Sequence, residues 1–127
     1  MGAIRKGDGG FVFQKEGVGE ARRVEAGDIT VEFGRAEVEV DIAPMLRGLP
    51  GDMCQCRHQG YVVRGGFTCK TREGTFDVAA GEAFDLPPGH TLVYHSGSEW
   101  VQITPTAEQR KTDEVVARNA AARAGAK

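Results

Sequence analysis

Between Met53 and Thr104 the chain never runs far without a turn signal. Seven short segments stand out: Met53–His58, Tyr61–Val63, Phe67–Thr71, Thr75–Val78, Ala83–Leu86, Leu92–His95 and Trp100–Thr104. Between them lie Gln-Gly, Gly-Gly, Arg-Glu-Gly, Ala-Ala-Gly-Glu, Pro-Pro-Gly-His and Ser-Gly-Ser-Glu. Strands this short, at this spacing, predict an all-β sandwich or barrel. The 18 glycines, spread along the chain rather than gathered in one linker, fit a turn-rich β protein.

The remainder of the chain extends this pattern at both ends. Residues 1–10 read as a flexible N-terminus, and Phe11–Phe13 as a first, edge strand. After a turn at Gly17–Gly19, apolar Ile29, Val31 and Phe33 alternate with Thr30 and Glu32. Val38, Val40 and Ile42 repeat the alternation, and the Gly34-Arg35 break between the two runs predicts a hairpin. Pro44–Asp52 is a loop by composition. Past Pro105 the character changes: Thr106 to Gln109 is a capping-box pattern opening an Ala-, Arg- and Glu-rich stretch. With only Val115 and Val116 as an apolar face, the expectation is a solvated C-terminal helix fading into a tail. At 127 residues this makes one domain: a barrel over 11–105 and a helix with its tail over 106–127.

Composition removes several function classes. A net charge of -2 with interspersed acids and bases gives no footprint for nucleic acid or an anionic membrane. No apolar run is long enough to span a bilayer, and the N-terminus lacks the apolar core of a secretory signal. An odd cysteine count then predicts reduced thiols in the cytoplasm rather than a disulfide frame. Ser96 and Ser98 sit in a turn beside His95 without a nucleophile elbow, and no glycine loop opens a helix to cradle phosphate.

The chemistry concentrates in one place. Asp52, Cys54, Cys56 and His58 share parity, so on a strand all four project from one face. Carboxylate, thiolate and imidazole together form a candidate ligand set for zinc or another divalent late transition metal. Against this, Cys-x-Cys-x-His lacks the second ligand pair of a structural zinc site, and a free cysteine is often a small buried hydrophobe.

The stretch 52–96 resembles the cupin superfamily. Its first motif places two histidines one residue apart, then a glutamate, then a glycine. Asp52, Cys54, His58 and Gly65 occupy those positions here, and Tyr61–Gly65 (YVVRG) resembles the family's strand at that point. The second motif reads Gly81, five residues, Pro87-Pro88-Gly89, two residues, Leu92, three residues, Ser96. The resemblance implies a cupin-type double-stranded β-helix, a jelly-roll barrel, with a short C-terminal helix. It also implies that the fourth ligand position of a metal-binding cupin is filled by Leu92, which cannot ligate. Asp52, Cys54 and His58 remain as the implied metal set, enough for a catalytic zinc with an open position.

Two readings of function follow, and a metal-bound and a metal-free barrel stand as equal expectations. In the first, a small organic molecule occupies the barrel cavity of an isomerase, lyase or cyclase. His58 and His90 then serve as catalytic residues, Cys54 and Asp52 assist His58, and Cys56, Leu92 and Tyr94 line the substrate. The alternative is a non-catalytic, metal-free ligand-binding or regulatory module. A third, weaker reading has Cys54, Cys56 and His58 clamping a structural zinc at one end of the barrel. The resemblance further implies a homodimer, for which the Phe11–Phe13 run would be an exchanged or edge strand.

Overall fold

In the structure, a computed structural model describing residues 2–125, strands and turns follow one another with little irregular chain between them. The strands are β1 (Gly10–Lys15), β2 (Gly19–Ala26), β3 (Ile29–Ala36), β4 (Val40–Asp41) and β5 (His58–Arg64). After these come β6 (Gly66–Thr71), β7 (Gly74–Ala79), β8 (Ala83–Leu86), β9 (His90–Tyr94) and β10 (Ser98–Pro105). A single α-helix, α1 (Thr106–Gly125), closes the described chain. The outermost part of the expected flexible N-terminus, Met1, and of the expected tail, Ala126 and Lys127, lie outside the described residues. The strands form two antiparallel sheets, ordered β1-β2-β3-β10-β5-β8 and β4-β9-β6-β7. This is the expected jelly-roll architecture with a C-terminal helix.

Alternation along each strand explains why the sheets face one another. On β10, Trp100, Gln102 and Thr104 turn inward; on β9, His90, Leu92 and Tyr94 do the same. Phe67 and Cys69 on β6 stand opposite Tyr94 and Leu92 in register. With Val62, Val78, Phe84, Leu86 and Ala36 they fill the space between the sheets. Tyr94 stacks on Trp100 at 3.9 Å between centroids, and Phe67 meets Phe84 edge-on at 5.1 Å. Each of these large side chains contributes about 1.5–3 kcal/mol by leaving water.

Three local expectations are corrected. The anticipated hairpin between 29–33 and 38–42 does not form: β3 continues to Ala36 and pairs with β2 and β10, while β4 joins β9 in the other sheet. Gly34 breaks nothing, because it leaves room for a ring; a Cβ there would lie 2.2 Å from Trp100 Cζ2. Gln59-Gly60 is not a turn either, since β5 runs through it, and a Cβ on Gly60 would lie 2.1 Å from the Val101 carbonyl oxygen. Residues 53–57 are extended without being a strand, tied to β9 by one bridge between Cys54 and His90.

The helix is also less solvated than its sequence implies. Thr106, Gln109 and Thr112 are buried. Asn119 Nδ2 donates to the Met45 and Arg47 carbonyls at 2.6 and 3.0 Å, and Asp113 accepts from Arg23 at 2.7 Å. Apart from Val116, which packs against Leu46, Cys54 and Cys56, the docking contacts are largely polar, so a long apolar stripe does not mark them in the sequence. At the other end, Lys6–Asp8 form a 3-10 turn, with the Asp8 carboxylate accepting the Arg5 N–H at 2.8 Å. Among the described residues no helix is long and apolar enough to cross a membrane.

Candidate metal centre

The bridge that ends the extended segment also builds the site. Cys54 N–H donates to the His90 carbonyl at 2.8 Å, and His90 N–H returns to the Cys54 carbonyl at 3.2 Å. Paired residues in an antiparallel ladder carry their side chains on one face, so Cys54 and His90 enter the barrel side by side. Cys56 and His58 follow at alternate positions. The donor atoms of Cys54, Cys56 and His58 all lie within 4.8 Å of one another. Cys54 Sγ is 3.6 Å from His58 Nε2, and the His58 and His90 rings meet edge-on at 5.1 Å between centroids. All four residues are buried, Cys56 and His90 completely.

Outer contacts orient each donor. His58 Nδ1 lies 2.6 Å from Thr104 Oγ1, leaving Nε2 turned toward the sulfurs. Cys56 Sγ sits 3.2 Å from Thr112 Oγ1 and 3.4 Å from the Glu108 carbonyl oxygen, so the first turns of α1 cover this end of the barrel. His90 Nδ1 is 2.7 Å from the Pro87 carbonyl oxygen. A carbonyl only accepts, so Nδ1 carries a proton. The buried Nε2 makes no hydrogen bond of good geometry, although the ring lies close enough to Cys54 to act on its thiol.

The electrostatics separate these thiols from an ordinary buried one. Burial alone pushes Cys69 up to about 11. Cys54 is also buried, yet its thiol is held well below the ordinary range. The Cys56 thiol's hydrogen bond is the largest cause, and His58 and His90 add to it against the burial that opposes it. Cys56 moves upward for the converse reason: it donates to Cys54, is buried, and faces that neighbour's negative charge. The site therefore favours an anionic sulfur beside imidazole, the donor chemistry of soft and borderline divalent metals.

The structure gathers some of the residues anticipated from sequence and separates others. Cys54, Cys56, His58 and His90 come together. Asp52 stands apart: it is exposed, its Oδ1 accepts the Gly48 N–H at 3.0 Å, and it ends a 3-10 turn. Positive φ at Gly51 (66°) and Asp52 (56°) turns the chain there, so the shared parity begins only after them. Leu92 and Tyr94, expected to line a substrate, are packed in the core instead of facing an open cavity. Thr104, Thr112 and Glu108 went unrecognised as supporting residues; only Thr104, in step with inward Trp100 and Gln102, carried a signal in the sequence. Outside the barrel, an open recess of about 370 Å³ is bounded by Thr71, Arg72, Glu73 and Pro87–Gly89.

No protein-family model matches the chain, and no curated protein matches it in sequence. Solved structures do match in shape. An RmlC-like cupin from Shewanella frigidimarina superimposes over 83% of this chain and 90% of its own, at 14% identity and a TM-score of 0.57. The chain has the cupin fold. The polyketide cyclase RemF from Streptomyces resistomycificus, another such neighbour, matches 83% of this chain and 79% of RemF, at 14% identity and a TM-score of 0.55. A single-substitution variant of the oxalate decarboxylase of Bacillus subtilis matches 80% of this chain at 16% identity and a TM-score of 0.54. This chain spans only 28% of the decarboxylase chain.

Proposed function

We propose that this chain is a metal-binding cupin module that holds one divalent zinc, or a similar late transition metal, on Cys54, Cys56 and His58. The observation carrying this reading is the convergence of three buried donor atoms within 4.8 Å, each backed by an outer partner or a neighbouring turn. Two sulfurs and one nitrogen select zinc over metals that prefer carboxylate and imidazole alone. The set differs from the one implied by the cupin motifs: Cys56 replaces Asp52, and Leu92 occupies the ring position as part of the core.

This reading is preferred to an isomerase, lyase or cyclase acting in the barrel cavity. Such an enzyme needs an organic substrate to reach His58, but Phe67, Leu86, Leu92, Tyr94 and Trp100 fill the interior beside it. Three buried free thiols fit a reducing compartment such as the cytoplasm. Exposed Phe11, Val12 and Phe13 on the edge strand β1 support the homodimer that the resemblance implies; light scattering tests it.

Elemental analysis of protein purified without a metal-affinity tag tests the metal directly. One equivalent of zinc per chain, lost in the Cys54→Ala/His58→Ala protein, is the expected result. A chain that stays metal-free after reduction and reconstitution overturns the reading.

A further inference from the structure

Resting on that metal reading for what passes through, we infer that α1 is a hinged lid, which swings about Thr106 to let a divalent metal reach or leave Cys54, Cys56 and His58. Those three residues are buried, so the metal needs a way in. The open recess beside Pro87–Gly89 does not supply one, because none of the three lines it. Something that covers them must move.

The covers differ in how firmly they are held. Parting the two sheets means giving up ladder hydrogen bonds and the core of Phe67, Leu86, Leu92 and Trp100. Helix α1 rests instead on a few polar ties and one valine. Thr112 Oγ1 and the Glu108 carbonyl oxygen lie over the Cys56 sulfur at 3.2 and 3.4 Å, and Val116 packs on Leu46, Cys54 and Cys56. Further out, Asp113 reaches Arg23, and Asn119 reaches the Met45 and Arg47 carbonyls. Releasing these ties strands no charge. Arg23 keeps Glu32 at 2.9 Å, and the Asp113 side chain, already 44% exposed, turns to water.

The hinge end is fixed. Thr106 N–H donates to the Asp28 carbonyl at 2.9 Å, and its hydroxyl meets Thr30 Oγ1 at 2.9 Å. At 1.5 Å rise per residue, Thr112 lies about 9 Å from that point, so a swing of about 20° lifts it by about 3 Å, roughly one water diameter. An element held by so few apolar contacts opens well before the whole fold does.

Iodoacetamide alkylation of the reduced, metal-free full chain, read cysteine by cysteine in a mass spectrometer, tests the lid without a metal. Cys69 is the internal standard, buried between the sheets opposite Leu92 and Phe76. Asn119→Ala removes the far tie, and because alanine favours a helix the variant undocks α1 without unravelling it. Alkylation of Cys54 and Cys56 should speed up about tenfold, as expected for two lost hydrogen bonds, while Cys69 keeps its wild-type rate. In the zinc-loaded chain, release to excess chelator should become independent of chelator concentration and rise by the same factor. Equal acceleration at all three cysteines would mean access through global unfolding and would overturn the lid. Unchanged rates at Cys54 and Cys56 would overturn it too, and in a chain that takes up zinc the metal reading would still stand. A chain that takes up no zinc yet alkylates selectively overturns the metal reading and keeps α1 as the gate over the two thiols.

Discussion

Two polar clusters are buried in this barrel, and they are finished differently. Around Glu32, Trp100 Nε1 and Gln102 Nε2 donate to one carboxylate oxygen at 2.8 and 3.1 Å, and Arg23 Nε to the other at 2.9 Å. Arg23 continues to Asp113 on α1, which also accepts from Gln109 at 2.9 Å. Although burial opposes its charge, those two carboxylates hold the Arg23 guanidinium even more firmly protonated than usual. Around Cys54 the outer sides are tied just as well, to Thr104, Thr112 and Pro87, but the inner side ends on the converging sulfurs of Cys54 and Cys56 and the His58 nitrogen. A satisfied network fixes how sheet and helix meet. One whose sulfur and nitrogen donors face one another is what the proposed metal centre requires.

The contrast can be broken most forcefully at Glu32. Glu32→Ala leaves Arg23, Trp100 and Gln102 without their shared acceptor and should cost about 3–5 kcal/mol in urea unfolding. The variant should keep its one equivalent of metal; loss of metal as well would mean that the clusters are not separate. Stripping the metal with a chelator should come next in size. With metal held at about 100 times its Kd, the loss is about 2.7 kcal/mol, and it should be the same in Glu32→Ala as in wild type if the sites are independent. Unequal losses would measure their coupling.

A smaller effect is expected from Thr104→Val, which removes the hydroxyl that orients His58. Competition with a chromophoric chelator should show metal affinity about 10- to 100-fold lower. Unchanged affinity would leave Thr104 as packing alone. Smallest of all, Arg110→Ala deletes an exposed pair with Glu25 on the far side of the helix. It should move neither the unfolding midpoint nor the metal stoichiometry.

Much of the barrel was readable because β6 to β10 alternate cleanly and are separated by Gly, Pro and Ser turns. Strand β2 escaped that reading because its Arg22, Arg23, Glu20 and Glu25 look like solvated surface. Arg23 in fact turns toward Glu32 and Asp113, partners more distant in sequence. Gly34 and Gly60 read as breaks, since sequence does not distinguish a glycine that turns from one that makes room for Trp100 or for the Val101 backbone. At the site, parity was enough to align Cys54, Cys56 and His58. Parity failed at Asp52 because left-handed backbone at Gly51 and Asp52 interrupts the extended chain. The pairing of Cys54 with His90 depends on a bridge between residues far apart in the chain, which no local pattern encodes.

Zinc K-edge X-ray absorption on the untagged, natively purified protein measures the centre most directly. The predicted shell holds two sulfurs at about 2.3 Å and one protein nitrogen at about 2.0–2.1 Å around one zinc per chain. An absent edge after reconstitution, or a shell of nitrogen and oxygen without sulfur, would contradict a metal centre on Cys54, Cys56 and His58.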